Sequence, residues 1–216
     1  MLWAIFGALL MGCSDEEIAN VETSSRNAIG FNVLSNAAET RATPTTNTNL
    51  KNTDFDVFAF TADGTAFMGK VDTDFGHDGV NIVYNNGKWD YKNASDLRYW
   101  PTEALDFYAF NPGTVDEAMQ WSYMWEATKD TQKITYSCSD EYGSGIKNYD
   151  VMYAMAKGQT KDMNNGIVKF NFKHILSQVV FKAKTEYDNM QVDINMIKIH
   201  NVKMGGFFTL PATADG

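Results

Sequence analysis

Phe55-Asp56-Val57-Phe58-Ala59-Phe60, then Asp63-Gly64, then Phe67-Met68-Gly69-Lys70-Val71 decide the fold: two apolar runs of strand length hinge on a dipeptide that supplies positive φ values. Such a pair reads as a β-hairpin. The pattern repeats downstream, where Val80 to Tyr84 turns at Asn86-Gly87 into Lys88-Trp89-Asp90-Tyr91. Further strands are predicted over Ala104 to Phe110, Lys133 to Tyr136, Val151 to Ala156, Ile167 to Phe172, Gln178 to Lys184, Met190 to His200 and Gly206 to Leu210. Within one of them Val179, Phe181 and Ala183 alternate with Val180, Lys182 and Lys184, which gives one face to bury and one mostly wet face. Upstream, Ile29, Phe31 and Val33 alternate in a first strand over 29–34. The Thr-, Asn- and Ala-rich stretch 35–54 then separates that strand from the rest and reads as an exposed loop. Short helical turns are expected at Val115 to Ser122 and His174 to Ser177. The chain is predicted to be all-β, a sandwich with one or two helical turns.

Composition bounds the partners. The 216 residues carry a net charge of −9, which disfavours nucleic acid and anionic surfaces, since phosphate binding needs concentrated Lys and Arg. At the amino terminus the apolar run Leu2 to Met11 is too short to cross a bilayer but suits the h-region of an export signal. It leads into Gly12-Cys13 and then Ser14-Asp15-Glu16-Glu17. Gly12-Cys13 resembles a bacterial lipobox, which implies a diacylglyceryl group on the Cys13 thiol and cleavage before it. The acidic tract resembles the signal that sends Bacteroidetes lipoproteins to the outer face of the outer membrane. An ordinary secretory signal with an incidental cysteine is the alternative. With Cys13 lipidated only Cys138 is left, so no internal disulfide is expected and the fold stands on burial alone.

Enzymatic chemistry finds little footing. His77, His174 and His200 fall in no metal-ligand spacing, and no nucleophile elbow, phosphate loop or dinucleotide fingerprint occurs. His174 is expected to be a structural, partly buried histidine, and Ser144 in Gly143-Ser144-Gly145 a turn. Asp72, Asp74 and Asp78 faintly resemble a calcium loop, but Gly76 takes a ligand position and no closing Glu follows. A polar hairpin loop is the better reading; no metal and no cofactor are expected. Trp121, Tyr123 and Trp125 alternate and so share one face of a strand. They are candidates for an adhesive platform that stacks on sugar rings or docks a partner, or else for core.

Four ordered motifs carry a family resemblance: Trp89-Asp90-Tyr91, Arg98-Tyr99-Trp100-Pro101, Leu105 to Pro112 (LDFYAFNP), and Phe172 to Phe181 (FKHILSQVVF). Together they resemble the Bacteroidales fimbrillin family, whose members are lipoprotein-exported subunits of pili and surface adhesins. The resemblance implies a transthyretin-like, Greek-key β-sandwich and matches the amino-terminal of two such domains. The expected organisation is a signal over 1–13, a polar tether over 14–27, the fimbrillin domain over 28–205, and in 206–216 the start of a missing or truncated second domain. The family further implies donor-strand assembly. An Arg-directed protease cuts after the first strand, here at Arg41, and another subunit's strand fills the groove. Other fimbrial subunits, a host protein or glycan receptor, and the outer membrane through Cys13 are the implied partners, and the cell surface the implied location. A monomeric, glycan-binding surface lipoprotein serving nutrient uptake is the alternative function.

Overall fold

The computed structural model describes residues 27–35, 47–69, 79–115, 123–128, 131–138, 148–177, 179–186 and 189–213. They form the strands β1 (Gly30–Ser35), β2 (Asp54–Thr61), β3 (Ala66–Met68), β4 (Val80–Asn85), β5 (Lys88–Tyr91), β6 (Leu105–Asn111), β7 (Tyr123–Ala127), β8 (Gln132–Ser137), β9 (Met152–Gln159), β10 (Ile167–His174) and β11 (Gly205–Thr209). Helix among the described residues is limited to one turn at Asn47–Leu50 and 3-10 turns at Ala94–Asp96 and Met163–Gly166. The all-β expectation holds, and the strands pack in a sandwich-like arrangement of two sheets.

Both predicted hairpins form because their turn residues adopt the required backbone. Gly64 has φ 87° between β2 and β3, while Asn86 and Gly87 have φ 49° and 85° between β4 and β5. In the β4–β5 turn, positive φ at both central residues matches the right-handed twist of the flanking strands. From these hairpins the large sheet grows in the order β2-β4-β5-β1-β10-β9-β6, and β6 pairs back onto β2. The sheet therefore closes on itself, with β3 continuing along the β2 edge beyond β4. The small sheet, β11-β8-β7, lies apart in the ladder.

Two apolar clusters follow from this closure. Inside the closed sheet Phe55, Val57, Ile82, Phe107, Val168 and Phe170 are fully buried. A second cluster joins Phe58, Tyr108, Phe110 and Tyr153 to Tyr123, Trp125 and Ile134 of the small sheet. Strands β2, β6 and β9 thus supply side chains to both clusters, which is why β2 is buried at Phe55 through Phe60 without interruption. Each large apolar side chain so enclosed contributes roughly 1.5–3 kcal/mol. Even Asp56, on the second face of β2, is buried and accepts a 2.7 Å hydrogen bond from Nδ2 of Asn81.

Several expectations need correction. The stretch 35–54 is not simply an exposed loop: Asn47–Leu50 forms a helical turn and Leu50 is buried in the inner cluster. No helical turn forms at His174 to Ser177, since His174 closes β10 and the N–H of Ile175 donates to the carbonyl of Val151. The turn expected at 115–122 falls, beyond Val115, outside the described residues. Neither Gln178 to Lys184 nor Met190 to His200 joins a ladder; the described residues of both are without regular structure and exposed. The preceding strand, β10, is paired with β1 along Ile167–Phe172 and with β9 at Lys173 and His174. The strand predicted over Gly206 to Leu210 does form, as Gly205–Thr209, and pairs along β8, with Leu210 buried in the second cluster.

Candidate functional site: the seat of the first strand

Strand β1 is paired unlike any other strand among the described residues. It lies parallel to β10 in a continuous register from Gly30↔Ile167 to Ser35↔Phe172, whereas every other strand pairing among the described residues is antiparallel. A parallel neighbour cannot come from a hairpin and requires a long connection, and here eight strands lie between the partners in the chain. On its other side β1 meets β5 at one pair only, Phe31↔Trp89. Beyond that pair the two strands part into an open groove flanked by Lys88, Tyr99 and Ile167. The N–H of Val33 is satisfied by Oδ1 of its neighbour Asn32 at 2.9 Å. So β1 closes the large sheet, but it is zipped along one edge only.

Alternation explains how β1 is seated. Ile29 and Phe31 point into the inner cluster with 1% and 6% exposure, and Val33 packs against it. The Phe31 ring stacks on Phe170 with centroids 6.0 Å apart and planes 8° apart, and meets Tyr91 and Phe107 edge-on at 5.6 and 6.5 Å. Stacked and edge-to-face pairs are the favoured geometries of ring quadrupoles. The approach to β1 is held by backbone: Ile29 N–H donates to the carbonyl of Arg98 at 2.9 Å, and Trp100 N–H donates to that of Asn27 at 2.8 Å. The Tyr91 hydroxyl donates to the Ile29 carbonyl at 3.1 Å. Burial pushes the Tyr91 pKa well above the usual phenol range, so this donor keeps its proton. Trp100 donates from Nε1 to the Gly166 carbonyl at 3.0 Å, at the foot of β10. Gly166 has φ 75°, and a Cβ there would stand 3.1 Å from that same Nε1. Thus Tyr91 and Trp100 of the first two sequence motifs, Phe107 of the third and Phe172 of the fourth lie around one strand seat.

The sequence-predicted site residues separate sharply. Cys13, Arg41 and Trp121 lie outside the described residues, as do His77, Ser144 and the Asp72, Asp74 and Asp78 cluster. Tyr123 and Trp125 do alternate on β7, but their shared face is the inner one: both are enclosed, at 0% and 1% exposure. Trp125 stacks on Phe110 at 5.8 Å and leans on Tyr123 at 4.9 Å. Rings so enclosed present no face to a sugar, and the adhesive platform is withdrawn for these two. His174 is half-buried, and its Nδ1 lies 2.9 Å from Oδ1 of Asp150, a structural pairing across the β9–β10 junction with a side-chain rather than backbone partner. Among the described residues no group of three or more His, Cys, Asp or Glu is arranged to hold a metal ion.

A large sheet completed by a sequence-remote strand that is laddered along one edge defines the class: an all-β, sandwich-like domain closed by its own first strand. The chain belongs to the fimbrillin-like family, whose model matches residues 40–214. It is similar to the fimbrium subunit Fim1C of Phocaeicola vulgatus, with 26% identity over 185 residues, covering 79% of this chain and 47% of that protein. The chain therefore spans about half the length of that curated relative.

Proposed function

We propose that the protein is a structural subunit of a cell-surface fimbrium. It is exported as a lipoprotein through Cys13 and kept from assembling by its own β1. Cleavage after Arg41 in the segment that follows β1 would release Cys13, the acidic tract and β1 together. The observation that carries this reading is the asymmetric seating of β1, with a full parallel ladder to β10 and one residue pair to β5. Withdrawing it would leave the β10 edge with orphan N–H and C=O groups and an apolar trough lined by Tyr91, Phe107 and Phe170, which is the template that strand addition requires. Membership of the fimbrillin-like family and similarity to a fimbrium subunit support the same role. In this reading the work is mechanical rather than catalytic. The outer membrane holds the precursor, and other fimbrial subunits are its partners. Treating purified precursor with an Arg-specific protease and sequencing the new amino terminus tests the processing step. Ala42 at the new terminus is expected; cutting elsewhere, or none, would sink it.

A further inference from the structure

Residues 179–184 carry the strand pattern noted above, yet they stand in water, with Val179 65% and Phe181 53% exposed. They follow β10 after a connection of four residues, 175–178, a length common in β-hairpins. Pairing back on β10 would be the ordinary outcome for such a stretch, but only Lys173 and His174 lie beyond the β1 ladder, too short a length of edge to seat it. Its β1 edge is occupied from Ile167 to Phe172, and on the other side Lys173 and His174 pair with Tyr153 and Met152 of β9.

We propose that Val179–Lys184 and β1 are alternative partners for one edge of β10, and that departure of β1 lets Val179–Lys184 fold back as an antiparallel hairpin into the vacated seat. The proposal rests on β1 being removable, as argued above, and adds what regulates the same site. Register supports it. With residues 175–178 as the connection, Val179 falls opposite His174, Phe181 opposite Phe172 and Ala183 opposite Phe170. Phe170 and Phe172 are the inward residues of β10, so the three apolar side chains enter the trough, with a phenyl ring again supplied to it. Lys182 and Lys184 then stay in water. A connection one residue longer or shorter would turn Lys182 inward, so register is strongly specified.

Connectivity also selects the same chain as the source. A second copy's strand must arrive from solution, whereas this one is tethered at a high effective concentration. Four residues are too few for a parallel crossover, so the incoming strand must run opposite to β1. The consequence for assembly is a competing strand in cis: a donor from another subunit would have to displace the hairpin rather than enter an empty groove.

Hydrogen exchange read by mass spectrometry tests this on the full chain, with Phe31→Asp used to drive β1 from its seat. In the wild type, amides of 179–184 should exchange freely and those of 29–35 be protected. In the variant the protection should swap, with 179–184 gaining at least about 100-fold. Unprotected 179–184 amides in a variant whose β2, β6 and β9 remain protected would overturn the proposal. Should Phe31→Asp unfold the chain, the milder Val33→Ser replaces it in a double-mutant comparison. Phe181→Asp alone should leave the folding equilibrium unchanged, and in the Val33→Ser background should lower it at least about tenfold. Additive effects would refute the hairpin. Binding of a labelled peptide of residues 27–35 to protease-treated protein carrying Phe181→Asp, in which the hairpin cannot hold the seat, separately reports whether the seat accepts a strand. Its failure would count against the fimbrial reading and against the removable β1 on which the hairpin depends.

Discussion

Replacing Phe31 by alanine removes the ring on which β1 is seated. The side chain is 6% exposed and contacts Phe170, Tyr91 and Phe107. Those rings belong to three different strands, β10, β5 and β6, so the gap cannot close by movement of one element. A buried Phe→Ala change of this kind costs about 3–5 kcal/mol, part of it the transfer term and part the cavity. Against a total stability of about 5–15 kcal/mol this is a large fraction. With a urea slope of about 2–3 kcal/mol/M, the unfolding midpoint should fall by about 1.5 M. Local detachment sets a ceiling: once β1 leaves its seat, a more damaging substitution at position 31 adds nothing further to the energy of the remaining body. Urea titration followed by tryptophan fluorescence checks the magnitude, and hydrogen exchange at 29–35 checks the location. A loss below about 1 kcal/mol, the range of ordinary surface substitutions, would refute the seating of Phe31 as the anchor of β1.

Removing only the Tyr91 hydroxyl, as Tyr91→Phe, deletes the hydrogen bond to the Ile29 carbonyl; stability should drop by about 0.5–1.5 kcal/mol, with faster amide exchange concentrated in 29–35. Trp125→Ala should behave as a core lesion, losing about 3–5 kcal/mol in thermal or urea unfolding, in contrast to the near-neutral stability expected of an exposed binding residue. Alkaline pH should destabilise the fold. Burial raises the phenols of Tyr91, Tyr123 and Tyr136, the last to about 12. A group whose folded-state pKa lies above its unfolded value contributes stability that is fully present below the unfolded value, about 10 for Tyr, and is lost as pH rises toward the folded one. Melting temperature should therefore hold up to about pH 9.5 and fall between about pH 10 and 12; a flat profile across that window would contradict the burial of these rings.

What could be read from the sequence was what local chemistry decides. Asp63-Gly64 and Asn86-Gly87 announce their hairpins because positive φ is a property of the turn itself. The unbroken apolar run around Phe58 likewise reflects a strand buried on both faces. The pairing of Gly30 with Ile167 was not legible, since nothing local specifies which remote strand a lone amphipathic segment will join. Alternation places Tyr123 and Trp125 on one face without revealing whether that face looks outward; the position of β2, β6 and β9 between two clusters decides it. Trp100 belongs to a local motif, but its role at Gly166 depends on a contact between residues 66 apart. The pattern at 179–184 is amphipathic and predicts a strand, yet the edge it would need on β10 is already filled by β1 as far as Phe172. Strand propensity proposes a partner, and topology decides whether an edge is free.

The removable first strand is tested most directly by cleaving the precursor with an Arg-specific protease and following its assembly on unheated denaturing gels, with and without excess synthetic peptide of residues 27–35. Release of the segment bearing β1, a ladder of heat-resistant oligomers, and suppression of that ladder by the peptide are expected. A cleaved protein that retains β1 in its seat and stays monomeric, or a ladder indifferent to the peptide, would contradict β1 as the element that holds assembly in check.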